Sequence, residues 1–308
     1  MSIRPATHAG SWYSGSAARL DAQLDHWLSK AAPSVAGARL LVGPHAGYSY
    51  AGETLAQTYN ALDVSGIKRV FIMGPSHHVY YKHSVMTTKY DYYETPLGNV
   101  PVDRQVISEL VAKDAKLFRL MSSDMDEDEH SFEMHMPFLH KVFADAGQTV
   151  PAIVPIMVSA SDEPFERKLA ENLEPYFQDA ANAFVISTDF CHWGSRFGYT
   201  AYTPSGQLSD LQDLRASSSV AGQPIYKSIE ALDKEAMRVA SQTSYKAFRE
   251  YLQATENTIC GAKPLSVLLL LMETNSAGSF NWLGYTQSSS VTSYHDSSVS
   301  YASAYALA

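Results

Sequence analysis

The chain has only two cysteines, Cys191 and Cys260, in 308 residues. Two thiols cannot build a disulfide framework, so a reducing compartment is the expected setting: the cytoplasm, with the nucleus as an alternative. Long apolar runs are missing too. The greasiest stretch, 267–272, suits a buried helix and is far too short to cross a bilayer, so no membrane insertion is expected. The opening Met1-Ser2-Ile3-Arg4-Pro5 has no apolar segment of the secretory kind. Basic charge is scarce: 32 acidic residues against 23 basic ones leave a net charge of −9, which argues against nucleic acid as a partner. There is no phosphate-binding glycine loop, no dinucleotide fingerprint and no Gly-x-Ser-x-Gly elbow, so those chemistries have no support. What remains is globular in composition, 45% hydrophobic and 18% charged, with length for one large domain or two modest ones.

Three short apolar runs organise the rest. Arg39-Leu40-Leu41-Val42 leads into Gly43-Pro44-His45-Ala46-Gly47-Tyr48, and Arg69-Val70-Phe71-Ile72-Met73 into Gly74-Pro75-Ser76-His77-His78. Phe184-Val185-Ile186 leads into Ser187-Thr188-Asp189-Phe190-Cys191-His192-Trp193. Apolar runs without alternation, bounded by Gly and Pro, predict strands buried on both faces, as in a parallel sheet. A further buried strand is predicted over 151–158, and the segment 85–93 reads as a strand or hairpin. Helical spacing of apolar residues follows Gly15 (Leu20, Leu24, Trp27, Leu28) and recurs over 53–62. Asp103 is placed to cap a helix bearing Val106 and Leu110, and Pro264 to open the helix containing 267–272. Strand and helix alternate often enough to predict an α/β fold, one domain over 1–308, with a flexible insertion at 203–224.

In open α/β sheets, ligands sit just beyond the carboxyl ends of the strands. If the three strands are neighbours, His45, His77, Asp189 and His192 converge there, and imidazoles gathered with a carboxylate indicate a metal or proton chemistry. Adjacent side chains point apart, so only one of His77 and His78 enters the site; His77, nearer the strand, is the expected one. Asp189 is a candidate to fix the tautomer of His192, or else it caps the following turn. Cys260 precedes Gly261 and a helix start that would favour thiolate, a third ligand beside two imidazoles. In the acidic stretch 124–135, the carboxylates read mostly as a solvated loop. His130 and Glu133 would share a helix face and are candidates for the pocket wall, as are His78, Trp12 and Tyr48.

With these residues laid out, the chain resembles the Memo family, named for a mediator of receptor-tyrosine-kinase-driven cell motility. The matching stretches are His8-Ala9-Gly10-Ser11-Trp12-Tyr13, Pro44-His45-Ala46-Gly47-Tyr48, Gly74-Pro75-Ser76-His77-His78, 126–137, 187–194, 257–261 and 296–301. The resemblance implies a single domain similar to the LigB-like class III extradiol dioxygenases, with a largely buried mixed or parallel sheet flanked by helices. It implies His45, His77 and Cys260 as ligands of iron or copper, with zinc as a third option. It also implies Asp189 and His192 as the catalytic polar pair, with His192 in the place of the acid/base. The function implied is metal-dependent and redox-related, an oxidoreductase linked to motility and signalling in the cytoplasm. The alternative is a non-enzymatic module that recognises phosphotyrosine-type peptides or a signalling protein through the same pocket.

Overall fold

The computed structural model describes residues 1–218 and 220–308; Ser219, inside the expected insertion, lies outside the described residues. Nine strands form the main sheet: β1 (Ala38–Gly43), β2 (Arg69–Pro75), β3 (Val85–Thr87), β4 (Phe118–Leu120), β5 (Ala152–Val158), β6 (Asn182–Ser187), β7 (His192–Trp193), β8 (Asn281–Gln287) and β9 (Ser298–Leu307). Their order is β7-β9-β1-β6-β2-β5-β3-β4, with β8 also paired to β9. The centre, β1-β6-β2-β5, is parallel, as the unalternating apolar runs predict. The flanks make the sheet mixed: β9 runs antiparallel to β1, and β3 antiparallel to β5.

Both faces of the parallel centre are covered. Helix Tyr48–Ala61 lies against β1, β8 and β9, with helices Ala17–Leu28 and Met136–Asp145 behind it; helices Glu163–Gln178 and Ala262–Thr274 pack on β6 from the other side. Phe71 and Phe184, on neighbouring parallel strands, stack with ring centroids 4.9 Å apart. Burying such rings stabilises the fold by roughly 1.5–3 kcal/mol each, which is why the central strands are so uniformly apolar. A smaller cluster around Trp193, Tyr199, Tyr202, Ile225 and Ile229 sits beside the main core. Within 203–224, the Thr203 N–H donates to Ser228 Oγ at 2.8 Å, and the Tyr202 hydroxyl lies 2.6 Å from the carbonyl of Gln223.

Asp103 caps helix Arg104–Lys113 as expected, accepting from the N–H of Val106. Two local expectations change. Pro264 is the third residue of its helix, which begins at Ala262, and is tolerated because first-turn N–H groups have no partner within the helix. Of the two readings of 85–93, strand holds and hairpin does not: β3 joins the main sheet, while Tyr92–Tyr93 joins a separate small sheet with Ile3–Arg4 and Val100–Pro101. Among the described residues, no helix is long and apolar enough to cross a membrane.

Candidate metal centre

Because β1, β6 and β2 are adjacent and parallel, their carboxyl ends deliver His45, Asp189 and His77 to one edge of the sheet. Cys260 arrives from the loop before helix Ala262–Thr274. One coordinating atom each from His45, His77 and Cys260 lie within 4.8 Å of one another, so the structure brings this triad together. Close approach of the Cys260 loop depends on Gly261. A Cβ at that position would sit 2.4 Å from Thr188 Cβ and 2.7 Å from the carbonyl oxygen of Ser187. With no side chain in the way, the Gly261 N–H donates to Thr188 Oγ1 at 2.8 Å and the Asp189 N–H donates to Cys260 Sγ at 3.2 Å.

The partners of each imidazole settle which nitrogen carries the proton. Ser187 Oγ donates its only proton to the Ser131 carbonyl at 2.6 Å, so the contact of 2.7 Å between Ser187 Oγ and His45 Nδ1 must be an N–H from the ring. His45 Nε2 therefore carries a lone pair, and it lies 3.2 Å from Cys260 Sγ. His77 Nδ1 lies 2.8 Å from Glu129 Oε1, and its backbone N–H donates to Oε2 of the same carboxylate. Burial alone would push Glu129 up, but the His77 donors and nearby His130 hold it down to about 2, so it is an acceptor only and takes an N–H from His77 Nδ1. Burial, then the surrounding imidazoles, push His45 well below the ordinary histidine range and keep it neutral.

Cys260 behaves differently from its sequence expectation. Burial, then the carboxylate of Asp189, push its thiol up, and these outweigh its backbone donors and the helix that starts beside it. Asp189 also takes another role than tautomer fixing. Its Oδ1 accepts the backbone N–H of His45 at 2.9 Å, and burial pushes the carboxyl up to about 6 against the pull of His192 and its backbone donors. The His192 ring is fixed instead by two carbonyls, Phe190 O at 2.9 Å and Thr258 O at 3.1 Å from Nδ1, which leaves Nε2 as an acceptor.

The pocket-wall candidates divide. His130 stacks on His77 with centroids 4.2 Å apart, and the half-exposed Trp12 covers its other flank at 4.4 Å. Burial, then His77, push His130 down to about 3. His78 is exposed, 6.4 Å from His130 between ring centroids. Tyr48 is not at the wall: it is buried against Tyr13, Trp27 and Phe138, and its hydroxyl donates to the carbonyl of Met134, because helix Tyr48–Ala61 turns that face toward the core. Glu133 is also a correction. It points behind the wall and accepts from Arg4 at 2.7 Å, Tyr13 at 2.8 Å and the backbone N–H of His8 at 2.9 Å. The acidic stretch is less solvated than expected, with Asp126, Glu129 and Glu133 all buried beside Arg4 or His77.

Sequence reasoning did not find Ser187, Glu129, Thr258 or His8, which hold or flank the central rings. All four lie inside the stretches that carry the family resemblance, and that placement is the only signal they carry. A Ser at a strand end and a Glu in an acidic run each have commoner roles.

A family model described as Memo-like protein matches residues 4–305. The MEMO1 family protein MHO1 of Saccharomyces cerevisiae is 42% identical, covering 99% of this chain and 99% of its own. Protein MEMO1 of Xenopus laevis is 44% identical and Protein MEMO1 of Homo sapiens 40%, each over 97% of this chain and 95% of its own. Among solved structures, an uncharacterized protein from Escherichia coli K12 aligns over 85% of this chain and 98% of its own at 15% identity and a TM-score of 0.40, too loose a likeness to bear on fold or function.

Proposed function

The chain belongs to the Memo-like protein family, and we propose that it holds one redox-active transition metal, iron or copper, on His45, His77 and Cys260. One observation carries this reading: both ligand imidazoles have Nδ1 tied to a hydrogen-bond acceptor, which places the lone pair of each neutral ring on Nε2, and Nε2 of His45 lies beside the cysteine sulfur. Ligand histidines are characteristically oriented in this way by a second partner on the other nitrogen. The donor set fits the group. Two neutral imidazoles and a thiolate suit copper and iron, accept zinc, and are softer than two imidazoles with a carboxylate.

When bound, the metal would supply one-electron and oxygen chemistry. The chain supplies the rest. Ser187 and Glu129 aim the two rings, Asp189 ties the His45 backbone to the end of β6, and His192 accepts or returns a proton at Nε2. Binding of the metal also requires Cys260 to give up its proton, so uptake releases protons and strengthens with rising pH. Both cysteines are free thiols, which supports a reducing cytoplasmic or nuclear setting; a place in motility-related signalling rests on the family resemblance alone.

The test is anaerobic titration of the metal-free full-length chain with ferrous, cuprous and cupric ions, beside the double variant His45→Ala/Cys260→Ala. The reading expects one metal per wild-type chain, loss of binding in the double variant, and metal-dependent oxygen consumption that falls roughly 10²–10⁴-fold in His192→Ala. Wild-type protein that stays metal-free under all three ions overturns it.

Recognition of a phosphotyrosine-type peptide is a second reading, favoured by Arg196. That exposed guanidinium makes no ion pair among the described residues, lies 4.5 Å from the Phe197 ring, and Phe197 packs edge-on to His192 at 5.3 Å. It expects phosphopeptide binding without metal and its loss in Arg196→Ala. Calorimetry showing no binding at high micromolar peptide removes it for the peptides tried.

A further inference from the structure

Asp233 lies on helix Ile225–Ala240, outside the pocket, and no part of its side chain reaches solvent. It makes no ion pair among the described residues, and its charge is met by dipoles alone. Oδ1 accepts the backbone N–H of Cys191 at 3.2 Å and Asn257 Nδ2 at 3.0 Å. Oδ2 accepts the Tyr285 hydroxyl at 2.8 Å, and that hydroxyl lies 3.1 Å from Ser300 Oγ. A buried carboxylate without a cation is expensive, and packing alone would be served as well by an apolar residue. An acceptor is required at Oδ1 for a different reason: both of its partners, a backbone N–H and an amide NH2, can only donate.

Two of those donors sit next to the site. Cys191 precedes His192. Asn257 precedes Thr258, which makes three bonds to His192: Oγ1 accepts its N–H at 2.8 Å and donates to its carbonyl at 2.9 Å, while the Thr258 carbonyl faces Nδ1 at 3.1 Å. Two residues beyond Thr258 is Cys260.

We propose that Asp233 is a positioning residue, a buried carboxylate that joins the His192 turn to the Cys260 loop by accepting from Cys191 N–H and Asn257 Nδ2 through one oxygen. It fixes the carbonyl that pins His192 in its Nδ1–H form and the register at which Cys260 meets His45. This role rests on the metal reading for Cys260 but not for His192, and the two halves are read separately.

The experiment compares Asp233→Asn, Asn257→Ala and Tyr285→Phe in the full chain. Long-range proton–nitrogen correlation of the imidazoles reports the His192 tautomer in metal-free protein, and ferrous titration reports the Cys260 side. Asp233→Asn can keep an oxygen toward Cys191 N–H and Asn257 Nδ2 while its NH2 faces the Tyr285 hydroxyl, which can accept, so it is the conservative variant; Asn257→Ala cuts the link to the loop. Asn257→Ala is expected to move His192 from one tautomer to a mixture and to weaken metal binding roughly 10–100-fold, whereas Asp233→Asn is expected to retain both the single tautomer and the affinity. Tyr285→Phe removes a donor from the far oxygen, so it is expected to lower stability while leaving tautomer and affinity unchanged. If Asp233→Asn does not fold, Asn257→Ala decides the outcome. A folded Asn257→Ala variant with His192 wholly in the Nδ1–H form and wild-type metal affinity overturns the proposal, as does a Tyr285→Phe variant that shifts the tautomer equally. If the wild type binds no metal, the metal reading fails, and the tautomer measurement alone decides the role of Asp233.

Discussion

Ser187 orders the protons on His45. Its hydroxyl stands 2.6 Å from the Ser131 carbonyl and 2.7 Å from His45 Nδ1, and with one proton to give it donates to the carbonyl and accepts from the ring. Ser187→Ala leaves a buried ring N–H and a buried carbonyl without partners, at a cost of about 1–3 kcal/mol. It also frees His45 to exchange tautomers. Metal affinity is expected to fall roughly 10–100-fold. Urea denaturation and metal titration on the same protein check both parts, and unchanged affinity with a lowered midpoint would assign Ser187 to packing only.

Glu133 gives the acid side of the stability profile. Burial opposes its ionisation, but His8 and Arg4 hold it down to about 2, below the ordinary 4.5. A carboxylate whose pKa is lower folded than unfolded contributes stability above the unfolded value, and loses it as pH falls through 4.5 toward 2. The shift corresponds to something on the order of 3 kcal/mol at neutral pH. Chemical denaturation of wild type and Glu133→Gln at pH 7 and pH 3 should show a gap between them that narrows at the acid end. A gap of the same width at both pH values would show that the ionised form contributes nothing.

The parallel centre of the sheet and the placement of His45, His77 and Asp189 were legible because strand-end position is a one-dimensional property: a buried apolar run, a breaker, then a polar residue. Cys260 was reachable only through its helix start and the family resemblance. What escaped is what depends on facing another segment. Glu129 reads as one acid among several, yet its backbone turn sets it against His77, 52 residues away. Tyr48 sits beside a site motif, but its helix rotates it into the core. Asp233 carries no local signal, since its donors come from three separate segments. Even the thiol of Cys260 was misjudged in direction, because burial and Asp189 are tertiary facts and the helix start is a local one.

Gly261 is the narrowest point of the site. Its missing Cβ would meet Thr188 Cβ at 2.4 Å and the Ser187 carbonyl at 2.7 Å, and neither is the far end of a flexible side chain. Gly261→Ala therefore has to push the Cys260 loop away from β6, with an overpacking cost of about 1–3 kcal/mol. Metal affinity should fall along with stability, since the same displacement moves Sγ from His45 Nε2. Gly52→Ala is the matched control: its Cβ would meet the Trp27 ring at 2.4 Å, far from the ligands, so it should lower the thermal midpoint without touching affinity. Equal losses of affinity in both variants would count against a local effect of Gly261.

Cys260 sets the metal preference if it is a ligand. Thiolate is soft and favours copper(I), whereas carboxylate with two imidazoles is the donor set of non-haem iron(II) sites. Cys260→Asp exchanges one for the other at a position already supplied with an N–H donor, from Asp189 at 3.2 Å. Competition titration should show copper(I) affinity reduced by more than about tenfold while iron(II) affinity stays within about tenfold of wild type, because the imidazoles and their partners Ser187 and Glu129 are unchanged. The new carboxylate would also lie close to Asp189, so the metal-free variant should melt lower than wild type and regain the difference on adding iron(II), by linkage between binding and folding. Undiminished copper(I) affinity would remove Cys260 from the ligand set.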